Sequence, residues 1–197
     1  WSQTLKGFVT PTPLPAAHHQ RPASHQVDRM ALELTADQTS SLVAFARKQH
    51  VTLNTLLEAA WGLVLSAHSR ENDVVFGATV SGRSTTQVNN VDHMVGLFIN
   101  TMPVRVTFSK ESEPIVDLLH RLQDQHSASL AFEHVPLVQT QLASEVAKGE
   151  ALFETIFVFE NYPSPSEDES ESSSSSNLDM NLVTAFEKTN YALSVTV

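Results

Sequence analysis

The residues whose types and spacing could do chemistry lie in one short stretch, which runs from Gly96 to Arg105 with the sequence GLFINTMPVR. Asn100 and Thr101 interrupt a run that is otherwise apolar, and Arg105 follows on the same predicted strand. A buried amide must be hydrogen-bonded, because an unpaired one costs on the order of 1–3 kcal/mol. The stretch is therefore expected either to pin the backbone or to face a polar cleft, and spacing alone leaves both open.

Nine histidines offer a second source of chemistry, but none has a spacing that indicates a site. His18 and His19 lie among prolines, with no acidic residue nearby to orient either ring. The chain has no HExxH, GxSxG, P-loop or dinucleotide-binding motif. The sequence therefore predicts no catalytic residue, no metal site and no directly bound cofactor.

Composition excludes several classes of protein. The chain has 22 acidic and 12 basic residues, a net charge of −10 and no cluster of Lys and Arg that could follow a phosphate backbone, which argues against nucleic-acid binding. The absence of cysteine excludes disulfides and thiolate chemistry. No apolar run approaches the roughly 20 residues that span a bilayer. We expect no membrane contact and a cytoplasmic location. A start at Trp1 and an end on the strand-like YALSVTV suggest a piece of a longer chain.

Helical periodicity and capping residues predict four helices. The first opens with a capping box at Thr35 and Gln38. The second covers about 54–68, the third and longest covers 113–130, and a short fourth helix starts at Pro136. The predicted buried stripe of the second helix consists of Leu53, Leu56, Leu57, Ala60, Trp61 and Val64.

Strand patterns alternate with these helices, which indicates a layered α/β domain. The predicted strands are 27–34, 73–80, 98–108, 153–162, 182–186 and 191–197. Four prolines between residues 7 and 25 predict an extended connector on the surface. The acidic, serine-rich stretch 164–177 is predicted to be a disordered loop insertion, because it has no large apolar groups to bury.

The stretch VGLFINTMPVR resembles the fifth core motif of condensation domains from nonribosomal peptide synthetases. That motif reads glycine-x-phenylalanine-valine-asparagine-threonine and ends in arginine, with Ile99 here in place of the valine. The preceding TLLEAAWGLVLSAHSRENDVVFGATVSGR, the later FETIFVFENYP and the opening Trp1–Gly7 also resemble this family. FEHVPL is similar to the sixth motif only at its Val-Pro-Leu core, so no role is carried onto its other positions.

The resemblance implies an α/β fold, namely a chloramphenicol acetyltransferase-like (CoA-dependent acyltransferase) lobe with a mixed sheet and packed helices. It divides the chain into a proline-rich inter-lobe linker (1–25) and a partial C-terminal lobe (26–197), truncated at both ends. It also implies amide formation between a donor acyl or peptidyl thioester and an acceptor aminoacyl thioester. Both would arrive on the 4′-phosphopantetheine arms of peptidyl carrier proteins. The N-terminal lobe and an adenylation domain are the other implied partners, and segment 81–95 is expected to bridge toward that lobe.

The resemblance implies substrate-binding positions at Gly96, Phe98, Asn100, Thr101 and Arg105. Of these, Asn100 and Arg105 are the best candidates for shaping the tunnel between the lobes.

The catalytic motif of the family, His-His-x-x-x-Asp-Gly, is absent from this chain. His18 and His19 are followed by QRPAS, with neither the aspartate nor the glycine. In the family this motif belongs to the N-terminal lobe, so the isolated chain is expected to be inactive while its parent is an enzyme. Two alternatives stay open: a lobe of an epimerisation or heterocyclisation domain, and a non-catalytic module that binds a carrier protein.

Overall fold

The computed structural model describes residues 1–14, 28–84, 90–109, 113–160 and 189–197. These residues form four α-helices and four β-strands, together with two short 3-10 turns at Val91–His93 and Leu130–Phe132. The helices are α1 (Ala36–Lys48), α2 (Leu53–Ser69), α3 (Ile115–Ser129) and α4 (Leu137–Leu142). The strands are β1 (Asp73–Val80), β2 (Asn100–Thr107), β3 (Thr155–Val158) and β4 (Leu193–Thr196).

The strands make one mixed sheet in the order β2-β1-β3-β4. The β1 and β2 strands are antiparallel, with pairs that run from Asp73–Thr107 to Val80–Asn100. The β3 strand is parallel to β1, and β4 is parallel to β3. The predicted mixed sheet is confirmed. Because the β1–β2 register has no interruption, side chains of even and odd number along β2 lie on opposite faces.

One face of the sheet is covered by α1, α2 and α3. Its core contains Val74, Phe76 and Ala78 of β1 and Val104 and Val106 of β2. These pack against buried helix residues that include Ala46, Ala59, Leu65, Leu118, Leu119 and Leu122. The continuous apolar pattern of β1 is thereby explained, since residues 74–78 are buried on both faces of the sheet.

The face that α2 buries differs from the predicted stripe. Its buried residues are Thr55, Glu58, Ala59, Gly62 and Leu65, whereas Ala60 and Val64 are exposed. Apolar residues surround α2, so periodicity could not select the face. Small residues determine which face of α2 is buried. A methyl group at Gly62 would lie 3.0 Å from Val106 Cγ2, so α2 approaches β2 closely.

The second face of the sheet is covered in part by the N-terminal segment, defined as residues 1–14. Leu5 and Phe8 are buried with Val75, Val146, Leu152 and Phe153 in a second apolar cluster. The buried hydroxyl of Thr12 accepts a hydrogen bond from the backbone N–H of Val75 at 2.8 Å. Residues 7–14 form no helix or strand, as the prolines predicted, and Gly7, Val9 and Thr10 are exposed. The predicted surface position is wrong at Phe8 and Thr12, because the open sheet face buries both side chains.

Local signals predicted most element boundaries well. The capping box is confirmed, with Thr35 Oγ1 accepting from the Gln38 N–H and Gln38 Oε1 accepting from the Thr35 N–H. The longest helix is α2, with 17 residues against 15 in α3, so that prediction is wrong. On α3, Leu118, Leu119 and Leu122 are buried, whereas the apolar residues at its two ends, Ile115 and Leu130, are exposed.

The strand predicted at 27–34 does not form over residues 28–34. Met30 and Leu32 are 98% and 89% exposed, and no strand of the described sheet lies beside them to accept their backbone hydrogen bonds. The predicted strand 182–186, the predicted insertion 164–177 and the His18–His19 pair lie outside the described residues.

Candidate functional site

Asn100 stands at the start of β2, and its side chain binds the turn that leads into α4. Its Nδ2 donates to the carbonyl oxygens of Glu133 at 2.7 Å and Val135 at 2.8 Å. Its Oδ1 accepts from the backbone N–H of Thr101 at 2.9 Å. Both amide hydrogens are thus used within the chain. The sequence left two roles open for Asn100. This geometry supports the first, in which the side chain fixes the backbone.

Thr101 points to the opposite face of the sheet, where it meets an aromatic pair. A methyl group at Gly77 would lie 2.9 Å from Thr101 Cγ2 and would overlap the Phe153 ring. Phe153 stacks on Tyr191, with ring centroids 5.5 Å apart and an interplanar angle of 27°. Burial raises the pKa of the Tyr191 phenol, and the Thr101 side chain acts in the opposite direction. The absence of a Cβ at Gly77 therefore makes room for this arrangement.

Arg105 holds the N-terminal segment against the sheet. Its guanidinium forms a two-pronged ion pair with Asp73, at 2.8 Å from Nε to Oδ1 and 2.6 Å from NH2 to Oδ2. The NH1 group donates to the carbonyl oxygens of Thr4 and Lys6, each at 2.8 Å. The hydrogen bond with Asp73 raises the pKa of Arg105. Arg105 is therefore a structural anchor between residues that are about 100 positions apart in sequence.

Gly96 and Phe98 belong to the loop before β2, and Arg83 organises that loop. The Arg83 guanidinium donates to the carbonyl oxygens of Val91, Met94 and Gly96 at 2.5, 2.9 and 3.3 Å. It also lies over the Phe98 ring, 4.3 Å from the centroid. Gly96 thus contributes a backbone acceptor, and Phe98 contributes a ring face.

The loop also explains Gly82, whose φ of +68° favours glycine. A Cβ at Gly82 would clash with the Phe98 carbonyl oxygen. Sequence reasoning did not select Arg83 or Tyr191 as site residues. Arg83 meets its backbone partners 8, 11 and 13 residues further along the chain, beyond the reach of a local pattern, and Tyr191 is far from the motif in sequence.

The five predicted site residues do not converge on one point. Asn100 and Arg105 lie on opposite faces of β2, and roughly 16 Å of strand separates them at about 3.3 Å per residue. With this geometry, the side chains of Asn100 and Arg105 do not line the same wall of a cleft. A contact of each residue with substrate stays a prediction.

Two further observations concern the described part of the chain. Within those residues, no group of three or more His, Asp or Glu side chains is placed to hold a metal ion. Among the helices found there, none is long and apolar enough to cross a membrane.

The fold defines the class of protein first. The structure superposes on the first condensation domain of the calcium-dependent antibiotic synthetase with a TM-score of 0.54, over 66% of this chain and 27% of that one. At 17% identity this shows the fold alone, which is the α/β CoA-dependent acyltransferase fold. A crystal structure of holo T3CT superposes with a TM-score of 0.52 at 37% identity, over 57% of this chain and 26% of that one.

The sequence then gives the family. The profile of the condensation domain matches residues 1–197, so the chain belongs to the condensation domain family. It is 40% identical to one of the linear gramicidin synthase proteins of Brevibacillus parabrevis, over 99% of this chain and 2% of that protein. The chain thus spans a small part of the length of this relative.

Proposed function

We propose that this chain is part of a nonribosomal peptide synthetase condensation domain that joins a donor thioester to an acceptor aminoacyl thioester. The match of the condensation domain profile to all 197 residues is the observation that carries this proposal. The intact Gly96–Arg105 motif, with its satisfied Asn100 and anchored Arg105, supports it. The similarity to a linear gramicidin synthase protein supports a role in nonribosomal peptide synthesis.

The proposed reaction is an acyl transfer to nitrogen. The acceptor amine attacks the carbonyl carbon of the donor thioester, the C–N bond forms, and the C–S bond breaks. The proton lost by nitrogen passes to a base, which returns it to the departing thiolate, so that the donor carrier ends with a free thiol. Most of the acceleration is expected from holding two tethered reactants in line, since this makes a bimolecular step effectively unimolecular.

Within this proposal, the chain supplies part of the C-terminal lobe. The base and the His-His-x-x-x-Asp-Gly motif would belong to the N-terminal lobe, since this sequence has no such motif. Peptidyl carrier proteins and an adjacent adenylation domain are the proposed partners. The pantetheine arms would be bound as parts of the substrates. A cytoplasmic location stays a prediction from the sequence.

The test uses the parent protein with one carrier loaded with a donor and a second loaded with an aminoacyl group. The expected product is the amide-linked chain on the acceptor carrier, detected by mass spectrometry, with none from residues 1–197 alone. Donor epimerisation or a heterocyclic product would assign a related domain type instead. Carrier binding without any product would indicate a non-catalytic module, and product from residues 1–197 alone would contradict the proposed division between lobes.

A further inference from the structure

The connection between β1 and β2 closes on itself next to the motif. It leaves the sheet after Val80 and returns at Asn100, and these two residues are paired in the β1–β2 register. Gly82 lies against the other end of the connection, since a Cβ there would be 1.9 Å from the carbonyl oxygen of Phe98. The two ends of the connection are therefore in contact directly before Asn100.

Arg83 holds this closed base together. Its guanidinium donates to the carbonyl oxygens of Val91, Met94 and Gly96 at 2.5, 2.9 and 3.3 Å. The same group lies over the Phe98 ring, 4.3 Å from the centroid. A planar guanidinium presents five N–H donors in a fixed fork, so one side chain can hold several carbonyls and a ring, which a lysine ammonium does not reproduce. Arg83 thus fixes residues 91–98 relative to the end of β1.

Apolar packing contributes little to the shape of residues 91–98. Val91 is buried at one end, with 5% of its surface exposed. Further along, Val95 and Leu97 are 104% and 89% exposed. A segment with few buried apolar contacts opens easily unless polar contacts hold it. The order of this loop therefore depends on the Arg83 hydrogen bonds more than on a core.

We propose that Arg83 is a positioning residue for amide formation, because it sets the shape of residues 91–98 and the place of Phe98 before the motif enters β2. This inference rests on the proposed function for the reaction that is served. Phe98 is a predicted substrate-binding position, and Arg83 acts through Phe98 and the loop rather than by contact with the reactants. A misplacement of about 1 Å can cost about 100-fold in rate, so a loosened loop should be visible in kcat.

The first test is Arg83→Ala in the parent protein. We expect kcat to fall by about 10- to 100-fold with a smaller change in KM, because the loop no longer keeps its position. Added methylguanidinium should restore part of kcat, since it can donate to the same three carbonyls. Arg83→Lys keeps the charge without the fork and should remain slower than the wild type. Arg47→Ala, at an exposed arginine of α1, is the matched control and should leave kcat unchanged.

A second variant reaches the same loop without removing the guanidinium. In Gly82→Ala the new Cβ would overlap the Phe98 carbonyl oxygen, and the φ of +68° disfavours alanine. Gly82→Ala should therefore lower kcat as Arg83→Ala does. Methylguanidinium should not restore it, because Arg83 is still present. Restoration of both variants by methylguanidinium would show a general effect of the additive and would contradict the inference.

Hydrogen exchange gives a readout that does not need turnover. Arg83→Ala should speed amide exchange over residues 91–98 by about 10-fold or more, as expected for the loss of a hydrogen bond from a charged group, and leave residues 102–107 unchanged. Unchanged exchange over residues 91–98 would overturn the inference. Faster exchange at wild-type kcat would make the Arg83 contacts structural only and would also overturn it, with the proposed function left standing. A wild type that forms no amide would overturn the proposed function, and the positioning role with it.

Discussion

At the residue scale, Asn100 is a bridge between β2 and the turn before α4. If Asn100 only contacted substrate, its replacement by alanine would leave the fold intact. Its two side-chain hydrogen bonds to the carbonyls of Glu133 and Val135 predict a loss of stability as well. Those carbonyls would lose their donors, and Glu133 is itself buried.

Asn100→Ala is expected to lower the free energy of unfolding by about 1–3 kcal/mol, from two neutral hydrogen bonds of about 0.5–1.5 kcal/mol each. Asn100→Asp should be at least as damaging, because a carboxylate would face two carbonyl oxygens. Urea unfolding with matched m-values measures both changes. Asn72→Ala, at an exposed position, is the control. Wild-type stability in Asn100→Ala would show that the turn before α4 holds without this amide.

Arg105 provides a second prediction at this scale, through a double-mutant cycle with Asp73. The two side chains are 15% and 37% exposed, so solvent screens the pair only in part. We expect a coupling of about 1–2 kcal/mol from Arg105→Ala, Asp73→Ala and the double variant, measured by thermal unfolding. The Arg121–Glu113 pair, whose arginine is 47% exposed against 15% for Arg105, is the control and should show a smaller coupling. Equal coupling in both pairs would contradict the anchoring role of Arg105.

At the element scale, α2 and α3 meet through polar groups rather than through apolar side chains alone. The buried carboxylate of Glu58 lies 2.5 Å from His126 Nε2 and accepts from Asn54 Nδ2 at 3.1 Å. Gln123 of α3 accepts from the Thr55 hydroxyl at 2.9 Å. Because Glu58 is 1% exposed, its carboxyl group depends on these neighbours for polar contacts.

This dependence predicts an asymmetry between the two partners. His126→Ala removes the polar group nearest to a carboxyl that is 1% exposed and should cost about 1–3 kcal/mol of stability. Glu58→Gln keeps a polar side chain beside a histidine whose own side chain is 22% exposed, so it should cost less, about 0.5–1.5 kcal/mol. Chemical denaturation of both variants at one pH tests the order. A larger loss in Glu58→Gln than in His126→Ala would show that the helices are not held in this way.

At the scale of the whole molecule, the N-terminal segment completes the second core. Phe8 is 3% exposed and Leu5 is fully buried, and both pack on the sheet face that the helices leave open. Arg105 and Thr12 add polar contacts between this segment and strands β1 and β2. The segment is thus an integral layer of the domain rather than a covering tail.

Phe8→Ala is expected to destabilise the molecule by about 3–5 kcal/mol, the range for removal of a buried aromatic ring. This is a large part of the roughly 5–15 kcal/mol that holds a domain together. Val9→Ala, at a neighbouring position that is 57% exposed, is the matched control and should change stability by less than about 0.5 kcal/mol. Similar melting temperatures for the two variants would show that the segment is a surface linker.

The sequence by itself determined the local features. A capping box at Thr35, the apolar run of β1 and the motif at the start of β2 each depend on neighbours within a few residues. The amide of Asn100 also had to find partners, since an unpaired amide in an apolar strand is costly.

Only the tertiary structure decided which faces meet and which partners are chosen. It places Ala59 and Gly62 on the buried face of α2, and it has no strand over residues 28–34. It also joined Asn100 to a turn 33 residues away and Arg105 to a carbonyl 101 residues away. Periodicity reports the presence of a buried face but not what covers it. Packing between distant segments makes those choices, and the local sequence does not indicate which distant segments come together.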